Sequence, residues 1–303
     1  MKSPLSVAFL LLVGCVACAP TIPSPKPELT TAVASREQGV HRFRLGELDL
    51  AVINDGYLPV ANDGTVWTKP APADIARVLA AEGLSADQIT LDVNTLLVRS
   101  GARIVLIDTG MGVLAPTTGR LLANLAKAGV APEQVTDVVI THGHVDHIGG
   151  LWTLPDGPSA FPNATVRITT AEWTALKASP PPGLVAAIGP QVVTFEPGQT
   201  IIPGVTSVEV RGHTPGHTAV RIESGGESLL VIADTAHHYV VSLREPEFTT
   251  GFDVDPLVAE GSRRALLVEA SSSHEAIFAP HFPFPGLGKI RREADGFGWT
   301  PEP

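Results

Sequence analysis

The chain has 303 residues, with 31 acidic and 21 basic side chains, and its formal net charge at pH 7 is −10. Proteins that bind nucleic acid without sequence preference need clustered lysine and arginine, and the sequence contains no such run. We therefore expect no nucleic-acid partner. The acidic balance also disfavours highly charged anionic substrates.

The first residues are typical of a bacterial export signal. Lys2 precedes an apolar run over residues 5–13, which is too short to stay in a bilayer as a spanning helix. Leu12-Val13-Gly14-Cys15 resembles a lipobox, so we expect residues 1–19 to be the signal region and Cys15 to begin the mature chain as a lipidated residue. Cleavage after Ala19 is the alternative. Either way, we expect a periplasmic protein or an outer-membrane-anchored lipoprotein, with the membrane reached only through the lipid.

A proline-rich tether follows the signal. Residues 20–40 contain Pro23, Pro25 and Pro27 and lack hydrophobic periodicity, as in a semi-extended linker. Cys15 and Cys18 are the only cysteines of the sequence, so the domain predicted over residues 41–303 has no disulfide and no cysteine metal ligand.

Hydrophobic periodicity predicts several elements of this domain. Alternation favours strands over Phe43–Ile53 and Asp92–Val98, and helical spacing favours helices over Pro72–Ala81, Pro116–Ala128 and Val254–Ala270. An irregular covering segment is expected between Trp152 and Pro190, where Pro180-Pro181-Pro182-Gly183 interrupts the chain, and such loops often carry specificity.

The segment Thr141–Gly150 has the composition of a metal site. After the apolar run Val138–Ile140, it places three imidazoles and a carboxylate within six residues, in the pattern His142-x-His144-x-Asp146-His147. Neutral imidazole and carboxylate are ligands for zinc, iron, manganese or cobalt. A surface loop that is rich in histidine by chance is the weaker alternative, because the motif is flanked by buried-type sequence.

Four further apolar runs end in an acid or a histidine. In layered α/β folds, ligands gather beyond the carboxyl ends of the strands, so this repetition predicts one shared site. The residues that end these runs are Asp108 after Arg103–Ile107, His213 after Val208–Gly212, Asp234 after Leu229–Ala233, and His281 after Ile277–Pro280.

These motifs resemble those of the metallo-β-lactamase-fold hydrolases. The likeness extends over about residues 42–300 and is most similar to methyl parathion hydrolase and its relatives through Gly212–Glu223, Leu229–Asp234 and Ala279–Gly288. The resemblance implies an α/β fold, a four-layer αββα sandwich with two central mixed sheets.

The resemblance also implies a dinuclear metal centre. One cation would be held by His142, His144 and His213 and the other by Asp146, His147 and His281, with Asp234 between them. Two divalent ions are expected, with zinc as the expected metal, and they would share and activate a water as the attacking hydroxide. Asp146 and Asp234 are thus the protein's predicted catalytic carboxylates.

Residues around the ligands have predicted supporting roles. Asp108 is expected to orient a ligating histidine, and His237 to lie in the pocket or behind a ligand. Trp173 and Phe282, together with the proline-rich cover, are expected to roof the pocket. The segment Met111–Ala115 has no aromatic residue where the organophosphate hydrolases carry one.

The predicted function is that of an exported dinuclear hydrolase that acts on small neutral esters, lactones or organophosphate triesters. A metallo-β-lactamase is an alternative with the same ligands. From other classes, a persulfide-type iron oxidoreductase and a binding lipoprotein stabilised by metal are also alternatives. The sequence does not decide whether the protein forms a homodimer.

Overall fold

The computed structural model describes residues 1, 36–153 and 156–302. The predicted lipobox and the tether before residue 36 lie outside the described residues. In the described ranges, no helix is both long enough and apolar enough to cross a bilayer.

Two seven-stranded sheets form the centre of the domain. The first runs in the order β1-β2-β4-β5-β6-β7-β8, and its strands are β1 (Val40–Leu45), β2 (Leu48–Ala61), β4 (Gln88–Ser100), β5 (Arg103–Ile107), β6 (Asp137–Val139), β7 (Thr165–Thr169) and β8 (Val192–Phe195). The second runs in the order β16-β15-β14-β12-β11-β10-β9, and its strands are β9 (Thr200–Ile202), β10 (Val205–Glu209), β11 (Thr218–Ser224), β12 (Glu227–Val231), β14 (Ala276–Phe278), β15 (Leu287–Arg292) and β16 (Phe297–Pro301). A small antiparallel pair joins β3 (Trp67–Lys69) and β13 (Thr249–Thr250).

Helices pack on the outer faces of both sheets or connect the strands near their ends. They are α1 (Pro72–Ala81), α2 (Leu121–Lys127), α3 (Val145–Ile148), α4 (Thr170–Ala178), α5 (Leu184–Ile188), α6 (Val241–Arg244) and α7 (Pro256–Ser273). Helices α2, α4 and α5 share a hydrophobic core with the first sheet, and α7 shares one with the second. A third core lies between the two sheets.

The strand sequences explain this layering. In β5, Val105 and Ile107 enter the core between the sheets, whereas Leu106 enters the core beneath the helices. Side chains alternate along a strand, so a strand buried on both faces must be apolar at every position. Both sheets are mixed: β5 to β8 pair in parallel, as do β12 and β14, and the other pairs are antiparallel. The predicted four-layer αββα sandwich is confirmed.

The predicted elements agree with this fold to different degrees. The helix predicted over Pro72–Ala81 matches α1 at both ends, and the strand predicted over Asp92–Val98 lies inside β4. The strand predicted over Phe43–Ile53 is instead parts of β1 and β2, joined by a tight turn at which Gly46 has a φ of 55°. Glycine adopts such a left-handed turn readily, and the chain reverses there.

Other boundaries shift because side chains capture backbone groups. The helix predicted from Pro116 begins at Leu121, whose N–H donates to buried Asp55 at 2.9 Å. Helix α7 begins at Pro256 rather than Val254, because Asp255 caps it by accepting from Val258 N. The region between Trp152 and Pro190 is not mainly irregular, since it contains β7, α4 and α5.

Candidate metal centre

The seven predicted ligands meet at one end of the sandwich, beyond the ends of β6, β10, β12 and β14. His142 and His144 follow β6, and His144, whose backbone is extended, is the N-cap of α3. Asp146 and His147 lie within α3, so the change from extended to helical backbone turns these two side chains away from the first two histidines.

The first group of ligand atoms comes from three histidines. His144 Nδ1 lies 3.1 Å from His142 Nε2 and 3.0 Å from His213 Nε2. Asp234 Oδ2 lies 3.5 Å from His142 Nε2 and 3.3 Å from His213 Nε2. The three nitrogens therefore face one oxygen of the Asp234 carboxylate.

The second group surrounds the other oxygen of the same carboxylate. Asp234 Oδ1 lies 3.1 Å from His147 Nε2 and 3.1 Å from His281 Nε2. Asp146 Oδ2 completes the group, 3.5 Å from His281 Nε2 and 3.8 Å from His147 Nε2. Asp234 thus lies between the two groups and offers one oxygen to each.

Hydrogen bonds behind the rings orient the ligand nitrogens. The Nδ1 atoms of four histidines have partners outside the cluster: Thr141 Oγ1 for His142 at 3.1 Å, Asp108 Oδ2 for His147 at 2.9 Å, Asp253 Oδ1 for His213 at 2.9 Å, and the Asp92 carbonyl for His281 at 2.8 Å. The Asp and carbonyl partners can only accept, so Nδ1 carries the proton and Nε2 presents a lone pair to the cluster. This places Asp108 behind His147, where it also accepts from Thr141 N and Thr141 Oγ1.

The donor set fits two cations. His147 Nε2 and His281 Nε2 lie 3.3 Å apart, and with both lone pairs facing inward no hydrogen bond can join them. Ligand atoms about 2.0–2.1 Å from one tetrahedral ion lie roughly 3.3 Å from each other, which matches these separations. Asp234 Oδ1 is buried without a hydrogen-bond donor among the described residues. Buried acceptors that converge without donors are what a cation satisfies.

The carboxylates make the cluster favourable for positive charge. Burial opposes ionisation of Asp234, but the imidazoles of His147, His281 and His142 hold the pKa of this carboxyl well below its usual range. Burial also opposes charge on His213, yet hydrogen bonds to Asp234 and Asp253 raise its pKa to about 9, and a cation bound at Nε2 would replace the proton shared with Asp234. Burial and the neighbouring His213 lower the pKa of His144 to about 4.

Glu172 fastens the two histidine loops to each other. This buried carboxylate accepts from Gly143 N at 2.8 Å and from Gly216 N at 2.7 Å. Both positions lack room for a larger side chain. A Cβ on Gly216 would lie 2.2 Å from Thr169 Oγ1, and a Cβ on Gly143 would lie 2.8 Å from the side chain of Leu176. Glu172 therefore sets the distance between the loop of His142 and the loop of His213.

His217 supports Asp234 through the backbone. Its Nδ1 donates to the Val210 carbonyl at 3.0 Å, and its Nε2 accepts from Asp234 N at 3.1 Å. Burial and the charge of His213 lower the pKa of His217 to about 3, so the ring stays neutral and keeps this donor and acceptor arrangement. Ala233, just before Asp234, has a φ of 46°, a left-handed conformation that non-glycine residues rarely adopt away from functional sites.

The predicted pocket residues have different surroundings. His237 is buried, with Nε2 3.2 Å from Asp234 Oδ2 and its ring stacked parallel to that of His281 at 6.0 Å. Trp173 packs against the core of the first sheet, with the Lys177 ammonium 5.7 Å from its ring, and its pocket role stays a prediction. Phe282 is 0% exposed and packs against Trp299 in the core of the second sheet. The structure corrects the prediction that Phe282 roofs the pocket.

Three residues near the ligands had no predicted role. Asp253 and Glu172 are buried acids, and each contacts a ligand loop 40 residues or more away in sequence, through His213 and Thr214 respectively. Phe252 is the aromatic residue beside the cluster: its ring is 45% exposed and lies 6.1 Å from His144. The sequence around Phe252 and Asp253 is typical of a turn, and the sequence around Glu172 is typical of a helix. The only sequence signal for Asp253 and Glu172 is an acidic residue in an otherwise apolar context.

Five exposed apolar side chains lie in segments next to the ligand loops and are called the apolar rim here: Val113, Leu114, Val145, Phe252 and Val254. All five are exposed, and seven of the eleven large exposed hydrophobic side chains among the described residues lie in segments 113–114, 145 and 252–258. These segments touch the ligand loops: Gly149, after α3, packs against the Met111 backbone, and Val254 N donates to the His213 carbonyl at 3.0 Å. Exposed apolar clusters of this kind mark binding surfaces.

Comparison with known families gives one match over most of the domain. A model of the metallo-beta-lactamase superfamily matches residues 89–281, which is more than half of the chain and includes all seven ligand residues. The match begins in β4 and ends at His281, so it takes in parts of both sheets and the whole ligand cluster.

Solved structures and curated proteins give likenesses to lactonases and hydrolases. AidC, a dizinc quorum-quenching lactonase, is similar with a TM-score of 0.82 and 32% identity, covering 88% of this chain and 98% of that one. The hydrolase AbOPH has a TM-score of 0.79 and 28% identity over the same shares. A probable metallo-hydrolase of Mycobacterium tuberculosis is 28% identical over 51% of this chain and 60% of that protein. The N-acyl homoserine lactonase of Bacillus cereus is 28% identical over 44% of this chain and 51% of that protein. The chain thus spans little more than half the length of these curated relatives.

Proposed function

We propose, from the premise that the chain belongs to the metallo-β-lactamase superfamily, that this metal-dependent hydrolase cleaves neutral lactones and carboxylic esters at a dinuclear zinc centre. The observation that carries the proposal is the division of the ligands into two groups that share one carboxylate. Sites with a pair of cations so arranged are typical of hydrolases that activate water without a separate general base.

The chemistry divides between the cations and the chain. Two divalent cations, when bound, would polarise the substrate carbonyl and lower the pKa of a water from 15.7 towards ~7. The chain supplies geometry: Asp108, Asp253 and the Asp92 carbonyl fix the ring orientations of three ligands. Asp234 holds both groups at one spacing, because its two oxygens are joined by a single carbon.

His237 is the side chain best placed to meet a substrate oxygen. It is buried next to Asp234, whose Oδ2 lies 3.2 Å from its Nε2, and its Nδ1 has no hydrogen-bond partner among the described residues. A buried polar group without a partner is costly unless something else satisfies it. We assign it the role of a donor to an oxygen of the substrate or of the leaving group.

The lactone preference is supported by AidC. The likeness covers 98% of the AidC chain, and the AidC structure holds the product N-hexanoyl-L-homoserine. A neutral ring with an apolar substituent suits the apolar rim, because aliphatic side chains gain by covering aliphatic carbon. The acidic net charge also favours neutral over anionic substrates.

We extend the proposal to aryl phosphotriesters, because the sequence resembles that of methyl parathion hydrolase. We expect weaker activity on them than on lactones, because Met111–Ala115 carries no aromatic residue and Phe282 is buried in the core. The nearest aromatic wall is Phe252, on the side of His144.

The test is a substrate panel measured with protein of known metal content. Protein purified without chelator should contain two zinc ions per chain. Its kcat/KM should be highest for an N-acyl homoserine lactone or an aryl ester, lower for an aryl phosphotriester, and lowest for a phosphodiester. Chelation should abolish the activity and zinc should restore it. Preference for a β-lactam or a phosphodiester would overturn the substrate assignment, and iron content with persulfide oxidation would instead identify an oxidoreductase.

Export with a lipid anchor at Cys15 is a separate part of the proposal, supported by Leu12-Val13-Gly14-Cys15. Cells that express the full chain should incorporate radiolabelled fatty acid into the wild type and not into Cys15→Ser. The Cys18→Ser variant is the matched control and should be labelled normally. An unlabelled wild type that is still exported would indicate ordinary cleavage.

A further inference from the structure

Arg263 is a buried cation on a helix face that otherwise packs in the hydrophobic core. It lies on α7 in a stripe with Ala259, Leu266, Leu267 and Ala270, and 1% of its surface is exposed. Taking a guanidinium out of water is costly, so hydrogen bonds and an opposite charge must compensate for it.

The guanidinium contacts the turn after one metal ligand and the carboxylate behind another. Its Nε donates to the carbonyl of Thr235, the residue after Asp234, at 2.8 Å. A terminal nitrogen lies 3.3 Å from Asp253 Oδ2, while Asp253 Oδ1 lies 2.9 Å from His213 Nδ1. One planar group therefore joins the turn after Asp234 to the carboxylate that orients His213.

The remaining terminal nitrogen holds the chain that leads to Asp253. It donates to the Pro246 carbonyl at 2.7 Å and to the Phe248 carbonyl at 2.9 Å. Asp253 has a side chain that is 0% exposed, and its Oδ2 also accepts from Thr250 N at 3.3 Å. The carboxylate thus has one orientation, with Oδ1 directed at His213.

We infer that Arg263 is a positioning residue for the metal centre: by fixing Asp253 behind His213 and the turn after Asp234, it sets the affinity for the cation held by His142, His144 and His213. The inference rests on the proposed dinuclear centre and adds a residue that touches no ligand side chain. A lysine could not replace it, because an ammonium lacks the planar fork that reaches three carbonyls and a carboxylate together.

The experiment compares the affinity of each cation across a set of variants. The two dissociation constants are measured by chelator competition, and the ligand field at the first site is followed by the visible spectrum of the Co²⁺-loaded protein. The variants are Arg263→Met, Arg263→Lys, Asp253→Asn and the double variant Arg263→Met/Asp253→Asn. Arg221→Met is the matched control, because Arg221 forms its ion pairs with Glu269 and Glu275, outside the ligand cluster.

Arg263→Met and Asp253→Asn should each weaken the cation held by His142, His144 and His213 by about 10–100-fold, the usual effect of removing a group behind a metal ligand, and weaken the other cation by much less. The double variant should resemble the weaker single variant, because both residues act along one path. Arg221→Met should bind both cations as the wild type does. Arg263→Lys should recover only part of the affinity.

Two results would overturn the inference. One is a loss of thermal stability in Arg263→Met with both cation affinities unchanged, and the other is a double variant whose loss is the product of the two single losses. If Arg263→Met does not fold, Arg263→Lys decides: lowered affinity for one cation supports the inference, and unchanged affinity refutes it. A wild type that binds fewer than two cations would instead refute the proposed function, whatever the variants do.

Discussion

Two regions of this site differ in how they are built: the ligand cluster that forms its floor, and the apolar rim around its opening. Floor residues are charged or polar and mostly buried, and four of the five ligand rings are fixed by a hydrogen bond from behind, such as that from His147 to Asp108. Rim residues such as Val113 and Val254 are exposed by 76% and 68% and are held only by the backbone of their loops.

This difference separates chemistry from selectivity. The hydrogen bonds of the floor form one buried network with a single arrangement. Because the bonds depend on one another, a substitution at one residue changes the geometry of the others. A rim of exposed apolar side chains gains only from the area that a substrate covers. Substitutions in the floor should therefore act on metal binding and turnover, and substitutions in the rim should act on the choice among substrates.

The largest effect should come from the carboxylate shared by the two halves of the floor. Asp234→Asn replaces one of its oxygens with a donor and removes its charge, so one cation loses a ligand atom and both lose the negative charge beside them. We expect metal content after gel filtration to fall for both sites, and lactonase kcat/KM to fall by more than the roughly 100-fold associated with groups behind a ligand. Asp49→Asn, at an exposed surface ion pair, is the control. Retention of two tightly bound zinc ions would contradict the shared-ligand assignment.

A smaller and one-sided effect is expected behind the floor. Asp108→Asn should weaken the cation held by His147 by roughly 10–100-fold and weaken the cation held by His213 much less, because Asp108 reaches that group only through Thr141 and His142. Asn tolerates the left-handed backbone found at this residue, where φ is 58°, so the turn should be preserved. Chelator competition on the purified variant measures this selectivity. Equal weakening of both cations would mean that Asp108 acts on the fold and not on His147.

His237 lies at the boundary between floor and rim. His237→Phe keeps an aromatic ring beside His281 and removes both ring nitrogens, so two zinc ions should remain bound. The loss of one hydrogen bond to a neutral substrate is worth about 0.5–1.5 kcal/mol, or roughly 3–10-fold in kcat/KM. His238→Phe does not serve as its control, because His238 Nδ1 accepts from Val240 N and Val241 N. Wild-type kcat/KM in metal-loaded His237→Phe would remove His237 from the substrate site.

The same contrast explains what could be predicted from the sequence. The floor depends on spacing along the chain: His142, His144 and Asp146 alternate within one segment, and Asp234 and His281 follow apolar runs that had to be strands. Asp253 and Arg263 could not be predicted, because their roles depend on contacts with His213 and Thr235 that only the fold creates.

The rim was harder to predict because nearness in sequence is a poor guide to exposure. Phe282 follows the ligand His281 directly, yet its side chain enters the core of the second sheet. Phe252 stands far from every ligand in sequence, and its ring lies 6.1 Å from that of His144. Loop side chains are placed by tertiary packing and have no periodicity that a pattern can detect.

The smallest effect, and the one most specific to the rim, should come from Phe252. Phe252→Ala removes the exposed ring beside His144 and His237 while leaving the ligands and Asp253 in place. A substrate acyl chain that loses about 20–40 Å² of apolar contact loses roughly 0.5–1 kcal/mol, a two- to fivefold rise in KM. The rise should grow with acyl length across a series of N-acyl homoserine lactones, and kcat should stay constant. Val193→Ala, an exposed apolar residue on strand β8, should change neither constant. An equal rise for short and long chains would mean that Phe252 shapes the ligand loops and does not contact the acyl group.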